Sequence, residues 1–151
     1  MGLHKCTWIP ILTATVVLAA CATNPVSGHS EVSLMSKADE VKIGQQMHTQ
    51  VLQQMGQYDD AALQDYVQYL GTKLAKQSHR PDLDWHFTVV DTDDVNAFAL
   101  PGGYIYISRG ILPYLASEAE LAAVLGHEIG HVTARHAVRQ QSKAAGVGIL
   151  S

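Results

Sequence analysis

The spacing of hydrophobic positions changes along the chain, and each change predicts a different element. Trp8 to Ala20 is an uncharged, mostly apolar run, too short for a bilayer span of about 20 residues. Thr23 to Ser33 is polar, contains Asn24-Pro25 and Ser27-Gly28, and reads as a tether. Ser36 then offers an N-cap, with Asp39 and Glu40 in a first turn where the helix dipole favours acids. Ile43, Met47, Val51, Leu52 and Met55 follow at helical spacing, and Gly56 supplies a stop. A second helix is expected from near Asp60, with Leu63, Tyr66, Val67, Leu70 and Leu74 as its core stripe, ending before Arg80-Pro81. At Asp84 the pattern turns to alternation: Trp85, Phe87 and Val89 predict a half-buried strand. Two short extended runs, Ala97 to Leu100 and Tyr104 to Ser108, flank Pro101-Gly102-Gly103. A third helix starts at Ser117, with Glu120 completing a capping box, and is expected to run from Glu118 to about Gln141. Its stripe is Leu121, Val124, Leu125, Ile129 and Val132. Helices, then strands, then a helix, without regular βαβ alternation, predict an α+β fold.

Composition narrows the function classes. The formal net charge is −4, with no basic surplus, which argues against nucleic acid as a partner. The apolar run is preceded by Lys5 and ends in Leu18-Ala19-Ala20-Cys21, which resembles the bacterial lipobox, where cleavage falls before a lipid-bearing cysteine. Residues 1–20 are therefore expected to be a lipoprotein signal peptide, 21–35 a lipidated tether beginning at Cys21, and 36–151 the folded part. Cys6 leaves with the signal and Cys21 takes the lipid, so thiol chemistry is not expected. Ala22, where an Asp would argue for inner-membrane retention, favours by resemblance to bacterial lipoproteins an outer-membrane anchor facing the periplasm.

The third helix carries His127-Glu128-Ile129-Gly130-His131. At 100° per residue the two histidines stand only about 40° apart, one turn along, so both imidazoles can reach one metal ion. Glu128 falls beside them rather than on the metal, placed to take a proton from an activated water. Zinc lowers the pKa of its water to about 7, which suits a carboxylate base. With eight histidines in the chain, the pattern is expected by chance only about 0.01 times. Gly126 and Gly130 each cost a helix about 1 kcal/mol relative to Ala, which implies that something packs close to the backbone there. His136 lies about 180° around an unbroken helix from His127, and is read as a hydrogen-bonded structural histidine. A metzincin arrangement is rejected, because Ala134 and Ala137 stand where its helix-breaking Gly and third His would be. Asp91, Asp93 and Asp94 read as a solvated cluster, and His29, His48, His79 and His86 as ordinary.

Asn96 to Ile105, Glu118 to Leu125, His127-Glu128-Ile129-Gly130-His131-Val132 and Arg135-His136 together resemble the HtpX/LoiP/BepA-type zinc metallopeptidases, a gluzincin family that includes the CAAX prenyl proteases. Asn24-Pro25-Val26-Ser27-Gly28 is similar to its lipoprotein members. The resemblance implies a gluzincin-like domain with N-terminal helices, a small sheet and an active-site helix. It further implies one Zn²⁺ per subunit on His127 and His131, Glu128 as catalytic base, and endopeptidase activity on misfolded or misassembled envelope proteins at the outer membrane. The strand at Ala97 to Leu100 would then receive an extended substrate by β-augmentation. In the family the third metal ligand is a Glu from a later helix, and no Asp or Glu follows His131 here. Two expectations follow: an N-terminal part of a longer enzyme, or an inactive lipoprotein that binds clients without cleaving them.

Overall fold

The structure, a computed structural model, describes residues 21–23, 30–32, 35–138 and 140. Residues 1–20, expected to be a signal peptide, the Asn24 to His29 stretch of the expected tether and the tail 141–151 lie outside the described residues. The elements are β1 (Cys21–Thr23), β2 (Ser30–Val32), α1 (Lys37–Met55), α2 (Ala61–Ala75), β3 (His86–Val90), β4 (Ala97–Leu100), β5 (Tyr104–Ser108) and α3 (Glu118–Thr133). A 3-10 turn over Arg109–Tyr114 leads into α3. This is the expected α+β arrangement. Among the described residues, no helix is long and apolar enough to cross a membrane.

Local chemistry starts the helices where the sequence indicates. The Ser36 hydroxyl accepts from the Asp39 N–H at 3.1 Å, and Asp39 returns the bond to the Ser36 N–H. The Asp60 carboxylate accepts from the Leu63 N–H at 3.0 Å. Each such cap is worth about 1 kcal/mol. At Ser117 the expected box is offset: Ser117 accepts from the Glu120 N–H, but the Glu120 carboxylate takes the Ala116 N–H, one residue earlier. Within the expected tether, β1 and β2 pair antiparallel with Cys21 opposite Val32.

The main sheet has the order β3-β5-β4, with β3 parallel and β4 antiparallel to the central β5. β5 alternates across two packed faces. Ile105 and Ile107 join Val67, Leu70, Phe87, Leu125 and Ile129 beneath α2 and α3. Tyr104 and Tyr106 face the other way, toward Val51 and Met55 of α1. On this second face His48 Nδ1 lies 2.6 Å from the Tyr106 hydroxyl, and burial pushes that phenol's pKa up while lowering that of His48. The β4–β5 turn runs through Gly102 and Gly103 at φ 83° and 100°, left-handed conformations that an L side chain rarely adopts.

α1 departs from its sequence pattern. Its expected stripe is only partly covered, and Met47 is 38% exposed, whereas the residues fully buried are Glu40 and Gly44. Gly44 lets α1 settle against the Pro101 carbonyl, where a methyl group would overlap it. Glu40, expected merely to complement the helix dipole, is 1% exposed. Arg80 donates to it at 2.7 and 3.3 Å, and Arg135 donates at 3.0 Å. A buried anion between two guanidinium groups holds α1, the segment after α2 and the end of α3 together.

Removing that anion leaves two cations largely buried and uncompensated, a change that typically costs about 3–5 kcal/mol. Glu40→Ala is therefore expected to shift the urea unfolding midpoint sharply downward. A midpoint unchanged from the parent chain would show that Arg80 and Arg135 rehydrate freely without it.

Candidate metal centre

α3 presents its histidines on the cleft side, at the edge of the core stripe. Leu121, Leu125, Ile129 and Val132 are buried, which fixes the helix rotation and sets His127 and His131 one turn apart at the boundary with solvent. Their Nε2 atoms are 3.0 Å apart and the rings meet edge-on at 88°. Two imidazole nitrogens at that separation can both reach an ion at the usual Zn–N distance of about 2.0–2.1 Å. Glu128 is 7% exposed, and one ligand atom from each of His127, Glu128 and His131 falls within 4.8 Å of the others. Two imidazole donors with a carboxylate beside them suit zinc. The sequence-derived trio is thus brought together.

The cleft has a volume of about 410 Å³. β4 and Pro101 form one wall, and α3 with the residues following it forms the other. Glu40 also lines it, but its carboxylate is committed to Arg80 and Arg135 and is not among the grouped ligand atoms. The remaining acids lie elsewhere. Asp91 and Asp93 pair with Arg109 at 2.7 Å each and stay largely exposed, in keeping with a solvated cluster. Glu118 accepts from the Tyr66 hydroxyl. Cys21 begins β1.

Two expectations about α3 are corrected. The helix does not continue to Gln141: it ends at Thr133, and Arg135 takes a left-handed backbone with φ 54°. The angular argument that sent His136 to the opposite side assumed an unbroken helix. After the break, His136 Nδ1 lies 2.7 Å from His131 Nδ1, so His136 joins the cluster edge as a hydrogen-bonded histidine. The second correction concerns Gly126 and Gly130. No described residue would come within 4 Å of a Cβ at either, so among the described residues nothing packs on them.

Sequence reasoning missed Glu40, Arg80 and Arg135 as neighbours of the site. Arg135-His136 stood in the resemblance, but Glu40 carried no signal beyond its helical position.

Comparison with known proteins agrees with this geometry. The model of peptidase family M48 matches residues 61–151, and the chain belongs to that family. It is 32% identical over 117 residues to the beta-barrel assembly-enhancing protease of Escherichia coli K12, covering 78% of this chain and 24% of that protein. The Yersinia pestis protein of the same name is 40% identical over 80 residues, 53% of this chain and 16% of the relative. The mitochondrial metalloendopeptidase OMA1 of Schizosaccharomyces pombe is 33% identical over 122 residues, 77% of this chain and 35% of the relative. The chain thus spans about a quarter of the E. coli relative's length and about a third of the yeast one's.

The open space beside Gly126 gives a direct test. Gly126→Ala is expected to stabilise the chain by about 0.5–1 kcal/mol through helix propensity, measured by chemical denaturation. A destabilised Gly126→Ala protein would show that another part of the chain packs on that face.

Proposed function

We propose that this chain is a zinc-dependent endopeptidase that hydrolyses peptide bonds in misfolded or misassembled envelope proteins. His127 and His131 hold one Zn²⁺ per subunit and Glu128 is the general base. The observation that carries the reading is the imidazole pair with a buried carboxylate beside it, set below an open sheet edge. A bound zinc ion supplies Lewis-acid chemistry, polarising a carbonyl and acidifying water. Glu128, held in a low-dielectric wall of the cleft, accepts the proton of the attacking water and returns it to the leaving amine.

The sheet supports an extended substrate at β4. Its other edge is closed: Gln64 and Gln68 on α2 exchange amide hydrogen bonds with the backbone of Val89, Phe87 and Trp85 at 2.9–3.0 Å, standing in for a neighbouring strand. At β4, the Ser108 N–H to Asn96 carbonyl bond sets the ladder, so Ala97 and Ala99 turn their N–H and C=O away from β5. Those groups border the cleft with the histidines. A peptide adding there would run its backbone past Glu128 with little demand on side-chain identity, as degradation of varied clients requires.

The relatives' name, beta-barrel assembly-enhancing protease, supports envelope proteins as clients. The Leu-Ala-Ala-Cys21 motif supports residues 1–20 as a cleaved signal and 21–35 as a lipidated tether, Ala22 supports an outer-membrane location facing the periplasm, and 36–151 is read as part of a metallopeptidase domain.

Glu128→Gln keeps the side-chain shape but cannot accept a proton. It is expected to lower casein cleavage by about 10²–10⁴-fold. Zinc content measured by elemental analysis should stay unchanged, and loss of zinc along with activity would make Glu128 a ligand instead. Zinc-loaded parent chain that binds casein without cutting it would replace this reading with that of a client-binding lipoprotein. For the anchor, Cys21→Ser is expected to move the protein from the membrane to the soluble fraction of a bacterial host. A variant still wholly membrane-bound refutes lipidation at Cys21.

A further inference from the structure

His131 is flanked on both ring nitrogens. Its Nε2 faces His127 Nε2 at 3.0 Å, and its Nδ1 faces His136 Nδ1 at 2.7 Å. The two nitrogens of one imidazole point their lone pairs to different sides of the ring, so a single ion cannot take His127, His131 and His136 together in this arrangement. His136 is therefore placed behind His131 rather than beside it. We propose that His136 is a positioning residue for the metal centre, held by the Glu40–Arg135 ion pair, that accepts a hydrogen bond from His131 Nδ1 and so fixes the ring with Nε2 free for the metal.

The supporting geometry reaches well beyond the two rings. His136 meets His131 across the turn at Ala134 and Arg135, the latter in a left-handed conformation that costs a non-glycine residue of order 1 kcal/mol or more. Arg135 is held there by two long-range bonds, Nε to Glu40 at 3.0 Å and Nη2 to the Met35 carbonyl at 3.0 Å. Glu40 in turn is fixed by Arg80, which also donates to the Val132 carbonyl in the last turn of α3. The polarity then follows. With His131 Nε2 given to the metal, Nδ1 carries the hydrogen and donates it, and His136 accepts at Nδ1 as the Nε2–H tautomer.

This rests on the proposed role of His127 and His131 as metal ligands, and the experiment separates the two. Zinc affinity of the full chain in detergent is measured by competition with a chromophoric chelator, and the ligand field by Co²⁺ absorption. His131→Ala serves as the control for the site itself. His136→Ala is expected to weaken zinc about 10–100-fold, the usual effect of losing such a partner, while the Co²⁺ absorption maximum stays in place. His136→Asn, whose amide oxygen can occupy the Nδ1 position, should restore most of the affinity, which a purely structural role would not require. Thermal unfolding followed by circular dichroism checks that both variants fold. Parent-like affinity in a folded His136→Ala chain overturns the proposal, and so does a shifted Co²⁺ maximum without rescue by Asn, which would make His136 a direct ligand. Zinc affinity unchanged by His131→Ala overturns the metal site itself, and this proposal with it.

Discussion

A carboxylate with almost no access to water must be neutralised or matched, and Glu40 is matched twice. Arg80 approaches from the segment that leads into β3, and Arg135 from just beyond the end of α3. Neither guanidinium alone would account for the fold around them. Arg80 also donates to the Val132 carbonyl in the last turn of α3. The Gly102 N–H reaches the same carboxylate at 3.4 Å, tying in the β4–β5 turn. One buried anion therefore gathers α1, the β3 approach, the sheet turn and the end of α3, and these are the pieces whose relative placement shapes the cleft. Interactions of this kind contribute less to net stability than to uniqueness, because any other packing would strand the charges.

The sheet is treated unequally at its two edges, and the asymmetry has a chemical logic. An exposed strand edge is a template for any extended chain. Gln64 and Gln68 sit four residues apart on α2, so they fall on one face, and each amide offers a donor and an acceptor at the spacing β3 needs. A neighbouring strand is imitated by side chains, and that edge is shut. β4 receives no such cover among the described residues and borders the histidines. Among the described residues, the edge left open is the one beside His127, Glu128 and His131.

What the sequence reveals divides along the range of the interactions. Ser36, Asp60 and Ser117 mark helix starts because a cap is a contact across three residues. β4 and β5 were legible from two short apolar runs around a Gly-Gly turn. His127, Glu128 and His131 were legible for the same reason: a helix fixes their relation whatever surrounds it. Failures came where distant parts decide. The apolar stripe of α1 promised a core face, yet Gly44 and Glu40 are what the helix buries, since close approach to Pro101 and a salt bridge set its rotation. The break after Thr133 had no local mark, for Ala134 and Ala137 are good helix formers and neither Gly nor Pro intervenes. Arg135 turns because a partner 95 residues away draws its side chain aside.

That separation places part of the site's construction outside the stretch that defines its family. The M48 match begins at residue 61, so it contains the histidines, Glu128, Arg80 and Arg135 but not α1. Glu40 is supplied from α1 and the Met35 carbonyl that receives the other Arg135 bond from just before it, both upstream of the match. A domain cut at residue 61 would retain every residue of the His-Glu-x-x-His motif. It would lose the anion that holds Arg135 and, through the left-handed turn there, the approach of His136 to His131. The motif is carried by one helix, but its geometry belongs to the whole domain, N-terminal helix included.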